Sequence, residues 1–176
     1  RRSIWFFLKY YLFWFLFFVA FKLLFMICNY KATLQMGAYD FFMAFFRGAK
    51  MDLSAAGYLS VLPGVLLAFS SLIKPELISR IIKGYTLLFI ILISIMGIVD
   101  ISLYPYWRTR LNAQVLPFLS EPVGLFSSIS FWNFAFFIIA LFIIAGGVYV
   151  IYQKLFPNNF LFSNKIKWYV SPVILL

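Results

Sequence analysis

Two apolar runs without a single charge decide the solvent in which this chain folds. Phe131 to Tyr152 holds 22 such residues, and Leu53 to Ile73 holds 21. At 1.5 Å per residue a helix of that length reaches about 30 Å, the thickness of a bilayer's hydrocarbon core. Backbone groups in lipid must bond within their own segment, so runs of this kind are helices. Composition closes off the other classes. Of 176 residues, 65% are hydrophobic and 11% are charged, whereas a soluble domain carries about 25% charged residues. There are too few charges to coat a soluble globule, and disorder requires low hydrophobicity. The fold class is therefore an all-α polytopic membrane helix bundle.

The remaining inventory removes chemistry. Histidine is absent, which excludes His bases, His triads and His metal ligands. Cys28 is the only cysteine, so neither an internal disulfide nor a thiolate cluster forms within the chain. The five carboxylates, Asp40, Asp52, Glu76, Asp100 and Glu121, are scattered. The formal charge of +10 does not point to nucleic acid, because the basic residues flank apolar runs rather than line one face. That placement points to anionic lipid headgroups and topology signals. The segment is expected to be non-catalytic by itself and to hold no cofactor or metal.

Four complete spans are predicted, at about 4–27, 53–73, 84–104 and 131–152. In the first, Lys9 and Lys22 lie near the two ends, where their stems snorkel toward the interfaces. Between the first and second spans, Tyr39, Phe41, Phe42, Phe45 and Phe46 surround Asp40 and precede Arg47 and Lys50. This stretch is too short to span and predicts an interfacial helix. In the second span Gly57, Ser60, Gly64 and Ala68 recur every three or four residues, a stripe for close helix packing. Pro63 should kink it. Pro105, Pro117 and Pro122 argue against one helix through the polar stretch from Tyr104 to Ser130. The 24 Phe residues are expected chiefly against lipid and in interfacial belts.

A fifth apolar run, 168–176, stops after nine residues, too few to span. The expectation is a fragment cut inside its fifth helix. With the N-terminus inside, the cytoplasmic segments carry eight basic residues and the outer segments five. The positive-inside rule favours that orientation. Whatever follows Leu176 would then be extracytoplasmic.

Two polar connections carry further information. One reads Arg47-Gly48-Ala49-Lys50-Met51-Asp52-Leu53-Ser54. The other begins Asp100-Ile101-Ser102-Leu103-Tyr104 and continues through Arg108-Thr109-Arg110-Leu111-Asn112 to Pro117. With the five-span layout, they resemble the membrane domain of the lipoteichoic acid synthase family. Those are phosphoglycerol-transferase and sulfatase-like proteins of the alkaline phosphatase superfamily. The family pattern entering the second span is Gly-Leu-Arg-x-Asp-Leu-Ser, and here Ala49 and Lys50 stand in its Leu and Arg positions. The resemblance implies a bacterial cytoplasmic membrane and an extracytoplasmic catalytic domain beyond residue 176. In that domain a divalent metal (Mn, Mg, Ca or Zn) would activate a nucleophile. The implied partners of the segment are membrane lipids, among them anionic phospholipid, and its own catalytic domain.

Six residues follow as site positions: Arg47, Lys50, Asp52, Asp100, Arg108 and Arg110. Arg47 and Lys50 either anchor the start of a span, one of them paired with Asp52, or meet a lipid phosphate while Asp52 orients them. Asp100 with Arg108 and Arg110 either closes the outer end of the bundle as an ion pair or forms a surface on which the catalytic domain docks or which borders the lipid substrate. A transporter or channel fragment and a non-enzymatic assembly subunit stand as alternatives. Transport sites usually show an ionisable residue at mid-bilayer, and none is apparent in the spans.

Overall fold

The computed structural model describes residues 2–70, 72–107 and 131–157, which are helical apart from short connections. They are α1 (Arg2–Cys28), the short α2 (Tyr30–Leu34), α3 (Ala38–Ala68), α4 (Pro75–Trp107) and α5 (Phe131–Leu155). Four of them, all but α2, are long and apolar enough to cross a membrane. The chain is an all-α polytopic membrane bundle. The 168–176 run lies outside the described residues.

Two boundaries differ from expectation. The interfacial helix does not form separately, since Ala38 to Ala68 is one helix of 31 residues. No proline stands between Ala38 and Leu62, and Phe45 and Gly48 lie against Lys22 of α1. Packing on a neighbour thus holds the first turns in line with the span, whereas an interfacial helix would need a bend. α4 likewise begins at Pro75 rather than Gly84 and runs through Pro105 to Trp107. Proline fits the first helical turn because its missing N–H is unpaired there anyway. Near the other end, Pro105 removes only one bond to the preceding turn.

α1 is the centre of the bundle. Phe6, Tyr10, Phe13, Trp14 and Phe17 recur at spacings of three and four and are all buried. On its opposite face Ile4, Leu8, Leu12 and Leu16 are each about half exposed, toward lipid. On this face of α1 the structure departs from the expectation that the aromatics chiefly face lipid. In α1 they form the core, although Phe42, Phe46, Phe136 and Phe142 elsewhere are exposed. The reason is that lipid tails are as apolar as Leu, so helix association rests on van der Waals packing. Rings supply more of that per residue, and paired rings add about 0.5–1.5 kcal/mol each.

Contacts fix the relative directions. Gly64, Gly57 and Gly48 of α3 face Phe7, Tyr11 and Lys22 of α1 in turn, so α3 runs antiparallel to α1. The small-residue stripe faces a helix, as expected, and Ser60 within it is fully buried. Tyr10 meets Thr86, and Phe21 meets Gly97, so α4 is parallel to α1. α5 returns its C-terminal end to the start of α1. There, the Phe156 ring lies 5.1 Å from that of Phe6, and the Tyr152 ring 5.6 Å from that of Phe13.

Candidate functional site

The charged side chains of the described residues collect toward the ends of the spans. The boundary at the Cys28 end of α1 is termed distal here. Lys22 is 18 residues beyond Ile4, about 27 Å along α1. Asp52 is 16 residues from Ala68, about 24 Å along the antiparallel α3. Antiparallel packing therefore brings both to the same depth, just inside the distal boundary.

There they form an ion pair, Lys22 Nζ to Asp52 Oδ2, at 2.5 Å. The side chains are 11% and 14% exposed, so the pair is largely sealed from solvent and lipid. The Lys22 ammonium also lies 5.7 Å from the centroid of the Phe45 ring, a cation–π distance. Gly48 adjoins the pair. A Cβ there would meet the Lys22 ammonium, which would have to shift from its place beside Asp52. Near this level the Phe25 and Tyr104 rings meet edge to face at 4.9 Å and close α1 on α4.

The expected grouping is thereby rearranged. Asp52 is paired with Lys22 of another helix, and with neither Arg47 nor Lys50. Lys22 does not snorkel free, because a partner of opposite charge is available at its own depth. Gly48 and Asp52, four residues apart, share the face toward α1. Arg47 and Lys50 project from the rest of the helix circumference and are exposed. Asp100 is buried on α4, 7% exposed. Arg108 and Arg110 lie outside the described residues, and with them the expected grouping around Asp100. Among the described residues no three His, Cys, Asp or Glu side chains come together.

A second polar contact lies deeper in the bundle. The Thr86 hydroxyl donates to the Ile82 carbonyl at 2.7 Å, and the Tyr10 and Thr86 hydroxyls are 2.9 Å apart. A threonine hydroxyl has one hydrogen. Since it goes to Ile82, Tyr10 donates to Thr86. Both residues are fully buried, and the bond sets the register of α1 on α4. Reasoning from sequence missed Lys22 as the partner of Asp52. The available signal was depth, since each residue sits equally far from the opposite boundary. For Tyr10 and Thr86 no signal existed, because hydroxyls on apolar helices are common.

The geometry describes a joint at the distal rim with exposed cations beside it. Compared with protein-family models, with curated proteins and with solved structures, the chain matches none of them.

Proposed function

We propose that the chain is the membrane domain of an extracytoplasmic phosphoglycerol-transferase or sulfatase-like enzyme of the lipoteichoic acid synthase family. It would sit in a bacterial cytoplasmic membrane with its N-terminus inside. The observation that supports this reading best is where the Gly48-to-Ser54 segment lies. The stretch that carries the resemblance is also the joint of the distal rim, through Gly48 and the Lys22–Asp52 pair. With the N-terminus inside, as the basic residues favour, that rim is the outer one. A soluble domain working on lipid headgroups needs a base held rigidly at their height, and a sealed ion pair between two spans supplies one.

In the intact protein, the phosphorus–oxygen bond to diacylglycerol would break and a new one would form to an acceptor hydroxyl. The acceptor's proton would end on the departing diacylglycerol. Hydrolysis of a sulfate or phosphate ester is the variant within the same superfamily. The divalent metal and the nucleophile belong to the catalytic domain, and no residue of this chain is assigned to either. A transport pathway draws less support, because the Lys22–Asp52 pair lies near one boundary rather than at mid-bilayer.

Membranes from cells expressing the full-length gene provide the test. Given phosphatidylglycerol labelled in its terminal glycerol, they are expected to release diacylglycerol and form a labelled acceptor product. Membranes carrying residues 1–176 alone are expected to do neither. Failure of the full-length protein to turn over this lipid, an aryl sulfate and an aryl phosphate would overturn the reading.

A further inference from the structure

Because Asp52 is engaged by Lys22, the two cations beside it in the chain are left without a carboxylate among the described residues. Arg47 and Lys50 are three residues apart on α3, so their Cβ atoms are about 5–6 Å apart on the helix surface. Both are exposed, and among the described residues neither forms an ion pair. Asp52 faces α1, and Asp40 is two helical turns from Arg47, about 10 Å along the axis. Like charges at this spacing repel, more strongly where lipid lowers the dielectric constant. An anion between them would reverse the sign of that interaction.

Depth names the anion. Lys50 and Arg47 are 18 and 21 residues from Ala68 on the same helix, about 27 and 32 Å of rise. A bilayer whose other hydrocarbon boundary lies near Ala68 has its near boundary at about 30 Å and its phosphates a few Å beyond, within reach of both long side chains. The neighbouring surface is built for the same zone, since Tyr39, Phe42 and Phe46 are all exposed at spacings of three and four. They occupy the turns by which α3 continues past Arg47, and amphipathic rings such as that of Tyr39 are characteristic of the headgroup zone.

We propose that Arg47 and Lys50 hold the phosphate of an anionic phospholipid at the distal boundary, the outer leaflet in the orientation given above. The Lys22–Asp52 pair keeps the site cationic by withholding the nearest carboxylate. The Arg47 guanidinium offers two parallel N–H donors to the phosphate oxygens, and the Lys50 ammonium adds a point charge. A soluble phosphate ester carries the same group but has no acyl chains to hold it at this depth. The site does not depend on the enzymatic reading. A chain that binds such a lipid without any transferase activity would leave the site intact and remove that reading alone.

Native mass spectrometry of the detergent-purified chain, with equimolar phosphatidylglycerol and phosphatidylcholine, tests the proposal. The wild type is expected to retain phosphatidylglycerol preferentially. Arg47→Gln with Lys50→Gln is expected to lower that preference about thirtyfold, a factor of about five for each cation near a membrane surface. Arg80→Gln with Lys154→Gln removes two exposed cations from the opposite boundary and is expected to leave the retained lipid in place. Lys22→Met with Asp52→Leu removes the pair without changing net charge and is expected to preserve the preference. Equal losses from the first two double variants, or a loss from the third with none from the first, would overturn the assignment. Displacement of the lipid by millimolar glycerol phosphate would also overturn it, by assigning the site to a soluble ester.

Discussion

Replacing Lys22 by Met should be the most damaging single change at the distal joint. Its stem length is nearly kept, but the Asp52 carboxylate, 14% exposed, loses its ion-pair partner. Removing one member of a buried pair costs about 3–5 kcal/mol, because the remaining charge stays desolvated without compensation. Asp52→Asn removes the other member. Lys22 then has a flexible four-carbon stem and a boundary about 3 Å away along the axis, so it can snorkel outward. That change should cost about 1–2 kcal/mol, because only the pairing and its hydrogen bond are lost. Lys22→Met with Asp52→Leu leaves no charge behind and should recover most of the loss, since well-packed apolar replacements of buried pairs are often neutral. The assay is reversible unfolding of the purified bundle by sodium dodecyl sulfate, followed by near-ultraviolet circular dichroism of the aromatic core. Closed with the single Asp52→Leu variant, expected to cost about as much as Asp52→Asn, the cycle should show an interaction energy of about 3 kcal/mol or more between the two positions. Additive effects, or a cost below about 1 kcal/mol for Lys22→Met, would show that the pair is hydrated and that the joint is not sealed.

Gly64→Leu should destabilise the bundle by about 1–3 kcal/mol. A Cβ at Gly64 already comes within 3.1 Å of Phe7 Cε2, whereas Gly146→Leu, with nothing within 4 Å, should be nearly silent in the same melt. Thr86→Val should cost about 0.6–2 kcal/mol by leaving the Tyr10 hydroxyl without its acceptor, and adding Tyr10→Phe should restore part of that. With Cys28 replaced, a cysteine at Gln114 should react with an impermeant thiol reagent from outside intact cells, and one at Ser79 should not. The reverse pattern would put the distal boundary in the cytoplasm.

Uncharged length was enough to read the solvent, the helices and the four crossings, because a bilayer admits only a segment that bonds its own backbone. The stripe of Gly57, Ser60 and Gly64 was legible for a similar reason, since small residues at helical spacing let two backbones approach. Helix ends were less so. Pro75 and the Phe45–Gly48 turn read as connections in sequence, yet packing against α1 and tolerance of proline in a first turn extend α3 and α4 through them. Neither the aromatic core of α1 nor the partner of Asp52 could be read from periodicity. Both faces of α1 are apolar, so nothing in its pattern says which one meets protein. Lys22 and Asp52, 30 residues apart, become neighbours only when antiparallel packing puts them at one depth. The sequence by itself determined which segments cross the membrane, because crossing is a local property of length and charge. Which side chains meet between the crossings was decided by the tertiary structure alone, because in lipid that choice rests on shape, depth and pairing rather than on a difference in polarity.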